Sequence, residues 1–177
     1  MKNFLSRLFI CAGILFLISS FYLLYLRHSS HPLTFKEYPT KVVALSIETP
    51  NTIHIPSINV HLPIVPAVAD KNKWETTEKG VSYLLSTPLP GEKGNSVMYG
   101  HNWTSLLKNL PQVRTGERVY VIMEDGTKRE FKIEYTATVN SDQTYIIDNT
   151  PDTRITIYTC VGFLDSKRFV VVAKPLI

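Results

Sequence analysis

Arg154-Ile155-Thr156-Ile157-Tyr158-Thr159-Cys160 and Arg168-Phe169-Val170-Val171-Val172-Ala173 decide how this chain reads. The first run alternates and is β-branched, so it reads as a strand, and it ends on the only cysteine outside the N-terminal apolar segment. A short loop, Val161 to Lys167, follows, and Arg168 opens a second strand. Antiparallel pairing of the two would bring a thiol and a guanidinium face to face.

Working outward, the upstream residues form short strands joined by turns. Arg118 to Met123 and Thr127 to Tyr135 flank Glu124-Asp125-Gly126, and Asp-Gly is a strong hairpin signal. In the second of these, Phe131, Ile133 and Tyr135 share one face, while Lys132 and Glu134 share the other. Thr136 to Pro151 reads as a long polar connection with a short helix or strand near Tyr145 to Ile147. Ser96 to His101 reads as a strand ending in Gly-His, and Leu106, Leu107 and Leu110 then space like one or two helical turns. Further back, Ile53 to Pro56 and Val60 to Ile64 flank a turn at Ser57 to Asn59, and their prolines demote them to edge or irregular strands. His54 and His61 fall on surface positions of these strands. About eight strand candidates with little helix imply a mainly β domain, either a single closed barrel or a tightly packed antiparallel fold, with one or two short helices.

The N-terminus is different in kind. Leu8 to Leu26 is an almost unbroken apolar run. Its ~19 residues, at ~1.5 Å each, match the ~30 Å hydrocarbon layer of a bilayer. Large residues between Ser19 and Ser30 stand where a leader cleavage site would need small ones, so the run reads as an uncleaved transmembrane helix. The expected division is a cytoplasmic stretch over residues 1–7, a membrane helix over 8–26, a Pro- and Ser-containing tether over 27–50, and an extracellular β domain over 51–177. That domain has roughly 125 residues, enough for one core.

Net charge is only +4, and no basic run is interleaved with aromatics, so no nucleic-acid partner is expected. Cys11 lies inside the apolar run, which leaves Cys160 without a disulfide partner in the β domain. A lone exported thiol is either a buried, inert residue or a reactive group. His28 and His31 have no third ligand nearby, and neither a metal nor a cofactor is expected.

Cys160, His101 and Arg168 together supply a nucleophile, a proton handler and a donor for an oxyanion. A thiol attacks as thiolate and needs a base or a lowered pKa. Acyl transfer develops negative charge on oxygen, which preorganised donors must meet. An arginine side chain stays charged and offers its donors in a fixed fork. The set fits peptide acyl transfer without a metal.

In these residues the chain resembles a sortase. The resemblance rests on Thr-x-Thr-Cys at a strand end, an arginine opening the next strand after a short loop, and Gly-His about sixty residues upstream. It extends to Ile-Pro-x-Ile-x-Val at Ile55 to Val60 and to the N-terminal anchor. It implies an eight-stranded β-barrel and a transpeptidase acting on a Leu-Pro-x-Thr-Gly-like sorting motif of surface proteins through a thioacyl enzyme, resolved by an amine acceptor such as a cell-wall precursor. By matching positions, Cys160 is the nucleophile, His101 the general acid and base, and Arg168 the oxyanion or substrate-positioning donor. The Thr136 to Pro151 connection would wall the substrate groove. Asn102, Ile157 and the short Val161 to Lys167 loop depart from commoner family residues, which leaves the substrate subclass open. No acidic cluster argues for calcium control, and residues 27–50 carry no lid signature, so single-step anchoring is expected rather than polymerisation. The alternative is a non-catalytic anchored β domain that binds a surface protein or wall component and buries Cys160 in its core.

Overall fold

The computed structural model describes residues 2–28, 49–70, 73–74 and 76–176. Contacts divide the chain into Met1–His31 and Pro32–Ile177. In the first unit a single helix, α1, spans Lys2–His28. Its described side chains over 9–25 are all exposed. Among the described residues, no helix is long and apolar enough to cross a membrane. Most of the expected tether, 29–48, lies outside the described residues.

The second unit is a closed barrel. Its strands are β1 (Pro50–Ile55), β2 (Val60–Ala67), β5 (Val81–Leu84), β6 (Gly94–Gly100), β7 (Arg118–Met123), β8 (Lys128–Asn140), β9 (Thr153–Val161) and β10 (Lys167–Pro175). Two-residue strands β3 (Ala69–Asp70) and β4 (Lys73–Trp74) form a separate ribbon. The order around the barrel is β1-β2-β5-β6-β9-β10-β8-β7, closed by β7 pairing with β1. The expected mainly β, eight-stranded barrel is therefore present. It is not wholly antiparallel, because β2–β5 and β6–β9 pair in parallel. The β7–β8 hairpin supplies the crossover that lets β9 return beside β6 in the same direction.

The hairpin forms where Asp-Gly marks it. Gly126 has φ +83°, and the Asp125 carboxylate accepts from both the backbone N–H and the hydroxyl of Thr127 at 2.8 and 2.7 Å. Alternation then fills the interior with Val119, Val121 and Met123 from β7, Phe131 and Ile133 from β8, and Met98, Ile155, Ile157, Val171 and Ala173 from the strands of the site. Each of these side chains larger than that of Ala173 contributes ~1.5–3 kcal/mol when fully buried.

Three expectations are corrected. The prolines of β2 do not put it at an edge. β2 pairs with β1 over Val60–Pro63 and with β5 over Ile64–Ala67, so Pro63 and Pro66 each stand where the strand has one neighbour and a missing N–H breaks no ladder. Tyr135 does not share the inward face of Phe131 and Ile133 and is 44% exposed. Val172 pairs with Tyr135 and Ala173 with Ile133, so Glu134 is an extra residue, a β-bulge that reverses the facing of the rest of β8. Ala137 and Val139 thereby turn outward into a second apolar cluster. Finally, β8 runs on to Asn140, so the connection before β9 is only 141–152, with a 3-10 turn at Thr144–Ile147.

Leu106, Leu107 and Leu110 are buried as their spacing predicts, but the segment is a chain of tight turns rather than an α-helix. A 3-10 turn at Leu110–Gln112 continues it through Pro111.

Candidate active site

The site lies on the outer face of β6, β9 and β10, which are adjacent in that order. Ile155 and Ile157 of β9 face the interior, so Thr156, Tyr158 and Cys160 face outward. On β10, Phe169, Val171 and Ala173 point in, which turns Arg168, Val170 and Val172 out. Arg168 is the cross-strand partner of Cys160 in the antiparallel β9–β10 pair. Gly100 pairs with Thr159 in the parallel β6–β9 pair, so His101 comes one step beyond, beside Cys160. The register thus sets Arg168 directly opposite Cys160 and leaves His101 just past the end of β6, one residue beyond the Gly100–Thr159 pair.

Each is held by its surroundings. The Thr159 hydroxyl donates to the Gly100 carbonyl at 2.9 Å, fixing the end of β6 against β9. The His101 carbonyl accepts from the Leu107 N–H at 3.2 Å, and buried Leu107 closes against Gly100. The imidazole of His101 stacks on the indole of Trp103, with centroids 4.5 Å apart and planes 9° from parallel. Arg168 is only 6% exposed. Its Nη1 donates to the carbonyls of Asp165 and Lys167 at 2.6 and 2.9 Å. The Asp165 carbonyl reaches it because the Gly162–Ser166 turn contains two consecutive left-handed residues, Leu164 (φ 53°) and Asp165 (φ 58°). Each costs roughly 1–2 kcal/mol without a glycine.

Cys160 is half-buried and free. Burial pushes its thiol above the ordinary value, Arg168 pulls it back down, and the carboxylate of Asp165 pushes it up again. The resting group is therefore mainly the neutral thiol, poised between a cation and an anion from one short loop.

Below Cys160 the outer face is an apolar floor of Val97, Tyr99, Tyr158, Val170 and Val172, joined by Ala137 and Val139 from the bulged half of β8. Tyr99 and Tyr158 stack at 5.4 Å and 12°. Burial drives the Tyr158 hydroxyl well above its usual pKa, so it stays protonated. Ile146 and Ile147, from the connection before β9, pack onto this floor. The arrangement sets a thiol, an imidazole and a guanidinium at one end of an apolar strip.

A family model described as a sortase domain matches residues 53–176. This chain belongs to the sortase family. It is 25% identical over 128 residues to sortase A of Bacillus anthracis, covering 71% of this chain and 58% of that protein. It is 28% identical over 127 residues to sortase A of Listeria monocytogenes, covering 70% and 54%. The chain spans a little over half the length of these curated relatives. Among solved structures, a lid mutant of sortase A from Corynebacterium diphtheriae aligns with a TM-score of 0.64 at 26% identity, over 77% of this chain and 74% of that one.

Sequence reasoning missed two supports of this sortase site. Trp103 follows His101 by two positions, and nothing in the pattern of an exposed turn announces a stacking partner. The Asp165 carbonyl that holds Arg168 depends on left-handed backbone at residues with no glycine to signal it.

Proposed function

We propose that this sortase is a cysteine transpeptidase that joins surface proteins to an amine acceptor. The observation that supports the reading is the register, which pairs Arg168 with Cys160 and ends β6 at Gly100 opposite Thr159, one residue before His101. The substrate is a Leu-Pro-x-Thr-Gly-like sorting motif laid in extended form over the apolar floor. Cys160 Sγ attacks the scissile carbonyl carbon, so a C–S bond forms and the carbonyl oxygen becomes an oxyanion. The guanidinium of Arg168 donates to that oxygen. As the C–N bond breaks, His101 gives a proton to the leaving amine. The resulting thioester is attacked by an incoming amine, whose proton returns to His101. A new amide forms and the thiol leaves. The chemistry is isoelectronic exchange and needs no oxidant, metal or cofactor.

The raised thiol bears on the resting state. With Cys160 mainly neutral, thiolate is a minor population formed as His101 takes the proton during attack. Arg168 then stabilises both the thiolate and the oxyanion.

The same reading makes α1 the anchor. The run Leu8 to Leu26 is apolar almost throughout, and the described side chains from 9 to 25 are exposed. A helix whose described side chains are exposed and whose sequence carries no charge from 8 to 26 fits a lipid surround. Residues 1–7 lie in the cytoplasm, and residues 51–177 form the extracellular catalytic domain behind a tether of 27–50. The acceptor is an amine of the cell envelope, with a wall precursor as first candidate, and attachment is single-step.

The test incubates the full chain in detergent with Leu-Pro-x-Thr-Gly-type peptides, with and without oligoglycine or diamino acceptors. Amine-dependent ligation product from the native chain, absent from Cys160→Ala, is expected. Hydrolysis that never responds to amine would overturn the transpeptidase reading.

A further inference from the structure

Asn95 lies on β6 well away from His101, is 1% exposed, and uses every polar atom of its side chain. Its Nδ2 donates to the carbonyls of Ile146 and Asp148, each at 3.1 Å. Its Oδ1 accepts from the hydroxyl of buried Thr156 on β9 at 2.7 Å. Its backbone N–H donates to Asn149 Oδ1 at 3.2 Å. Next to it, the Gly94 N–H donates to the Asp152 carbonyl at 2.9 Å. Gly94 has φ +121°, and a Cβ there would strike Asn149 Oδ1.

The bonds from Asn95 to Ile146, Asp148 and Asn149 run between two bodies that share no ladder. On one side are the floor strands β6 and β9. On the other is the 144–149 turn, whose Ile146 and Ile147 pack on that floor. Only a carboxamide fits at position 95, since two carbonyls need donors and one hydroxyl needs an acceptor. Aspartate would set a third oxygen against the two carbonyls. Leucine would remove both donors and the acceptor, and leave the buried Thr156 hydroxyl without the oxygen it donates to, which is costly.

We propose that Asn95, with Thr156 and Asn149, is a positioning latch that fixes the wall of the substrate strip and so governs how tightly the sorting motif is held. The inference rests on the transpeptidase reading for its consequence, though not for the latch itself. Thr156 stands four residues before Cys160 on the same face of β9, so the wall is referenced to the nucleophile's own strand. Asn95 touches no reacting group. Its loss acts through the wall, on peptide affinity more than on the thiol.

The experiment compares the full native chain with Asn95→Asp, Thr156→Val, Asn149→Ala and Asn149→Asp. Asn149→Asp keeps the acceptor for the Asn95 N–H and serves as the conservative rescue. Two readouts are taken on each. Hydrogen exchange is followed at the amides of 144–149 against those of β9 and β10. KM and kcat for a sorting peptide are measured beside the rate at which iodoacetamide alkylates Cys160. Faster exchange confined to 144–149 is expected in the first three variants, with KM raised about tenfold for Asn95→Asp, alkylation and kcat within about twofold of native, and Asn149→Asp close to native. Unchanged exchange at 144–149 would overturn the latch. So would a fall in both kcat and alkylation alongside the raised KM, or an unaltered KM in a chain that turns peptide over. If the native chain consumes no sorting peptide, the transpeptidase reading fails, while the exchange pattern still decides the latch.

Discussion

Cys160 and Arg168 are direct cross-strand partners, and the guanidinium of Arg168 is tied back to the carbonyls of Asp165 and Lys167 in the turn between them. The thiol and the cation are thus fixed by one ladder and one seven-residue connection. Arg168→Lys keeps the charge and loses the fork, so it cannot hold both carbonyls and also meet an oxyanion. It should lower kcat/KM by about 10²–10³-fold. Iodoacetamide alkylation of Cys160, which forms no oxyanion, should change far less. Equal losses in both assays would place Arg168 in thiol activation alone.

The charge balance around Cys160 gives a pH prediction. Its pKa lies above the ordinary 9.0, through burial first, with Arg168 opposing and Asp165 adding. Alkylation of the native chain should keep accelerating beyond pH 9.0. Asp165→Asn should move the inflection down and Arg168→Gln should move it up. A raised acid pKa means the folded state holds its proton where the unfolded state has released it. Native stability relative to Cys160→Ala should therefore fall as pH climbs past the unfolded thiol value.

Trp103 gives His101 a flat neighbour at 4.5 Å. Stacked rings of this kind contribute ~0.5–1.5 kcal/mol beyond their buried area. Trp103→Leu should therefore cut kcat by roughly two- to tenfold by loosening the imidazole, and Trp103→Phe should recover much of the loss. Steady-state kinetics on a sorting peptide decides it. A change confined to KM would make Trp103 a peptide contact instead.

At the far end of β9, Asp152 accepts from Arg154 at 2.9 and 2.7 Å and lies 3.2 Å from Lys174. The Arg154 bonds, with help from Thr150 and Lys174, hold its carboxyl well below the usual range. A depressed carboxylate stabilises the fold above the unfolded pKa of ~3.9 and loses that contribution as pH falls toward the folded value. The pair is partly exposed, so Asp152→Asn should cost about 1 kcal/mol or less at neutral pH. Thermal melts of the two proteins should converge as the medium is acidified below the unfolded value.

What could be read from residues alone was the part governed by alternation and turn chemistry. Ile155, Ile157, Val171 and Ala173 point inward as a period of two requires, which placed Cys160 and Arg168 on one face. Asp125-Gly126 announced its hairpin. Glu134 was opaque because a bulge leaves the letters alternating while the chain reverses its facing. Pro63 misled because a proline rule assumes one pairing along a whole strand, and β2 changes neighbours midway. Asn95 was hidden because its partners are mostly backbone carbonyls and an amide more than fifty positions away. An asparagine and a threonine on outward positions of two buried strands were the only trace it left.

The most direct test of the central claim is intact-mass analysis of the full chain in detergent after acid quenching from a mixture of Leu-Pro-x-Thr-Gly-type peptides, with Cys160→Ala beside it. The account predicts a covalent adduct on the native chain alone, of the mass of the peptide fragment on the N-terminal side of the scissile bond. No adduct, together with Cys160 labelling that becomes fast only on unfolding, would contradict it and leave an anchored β domain with an inert thiol.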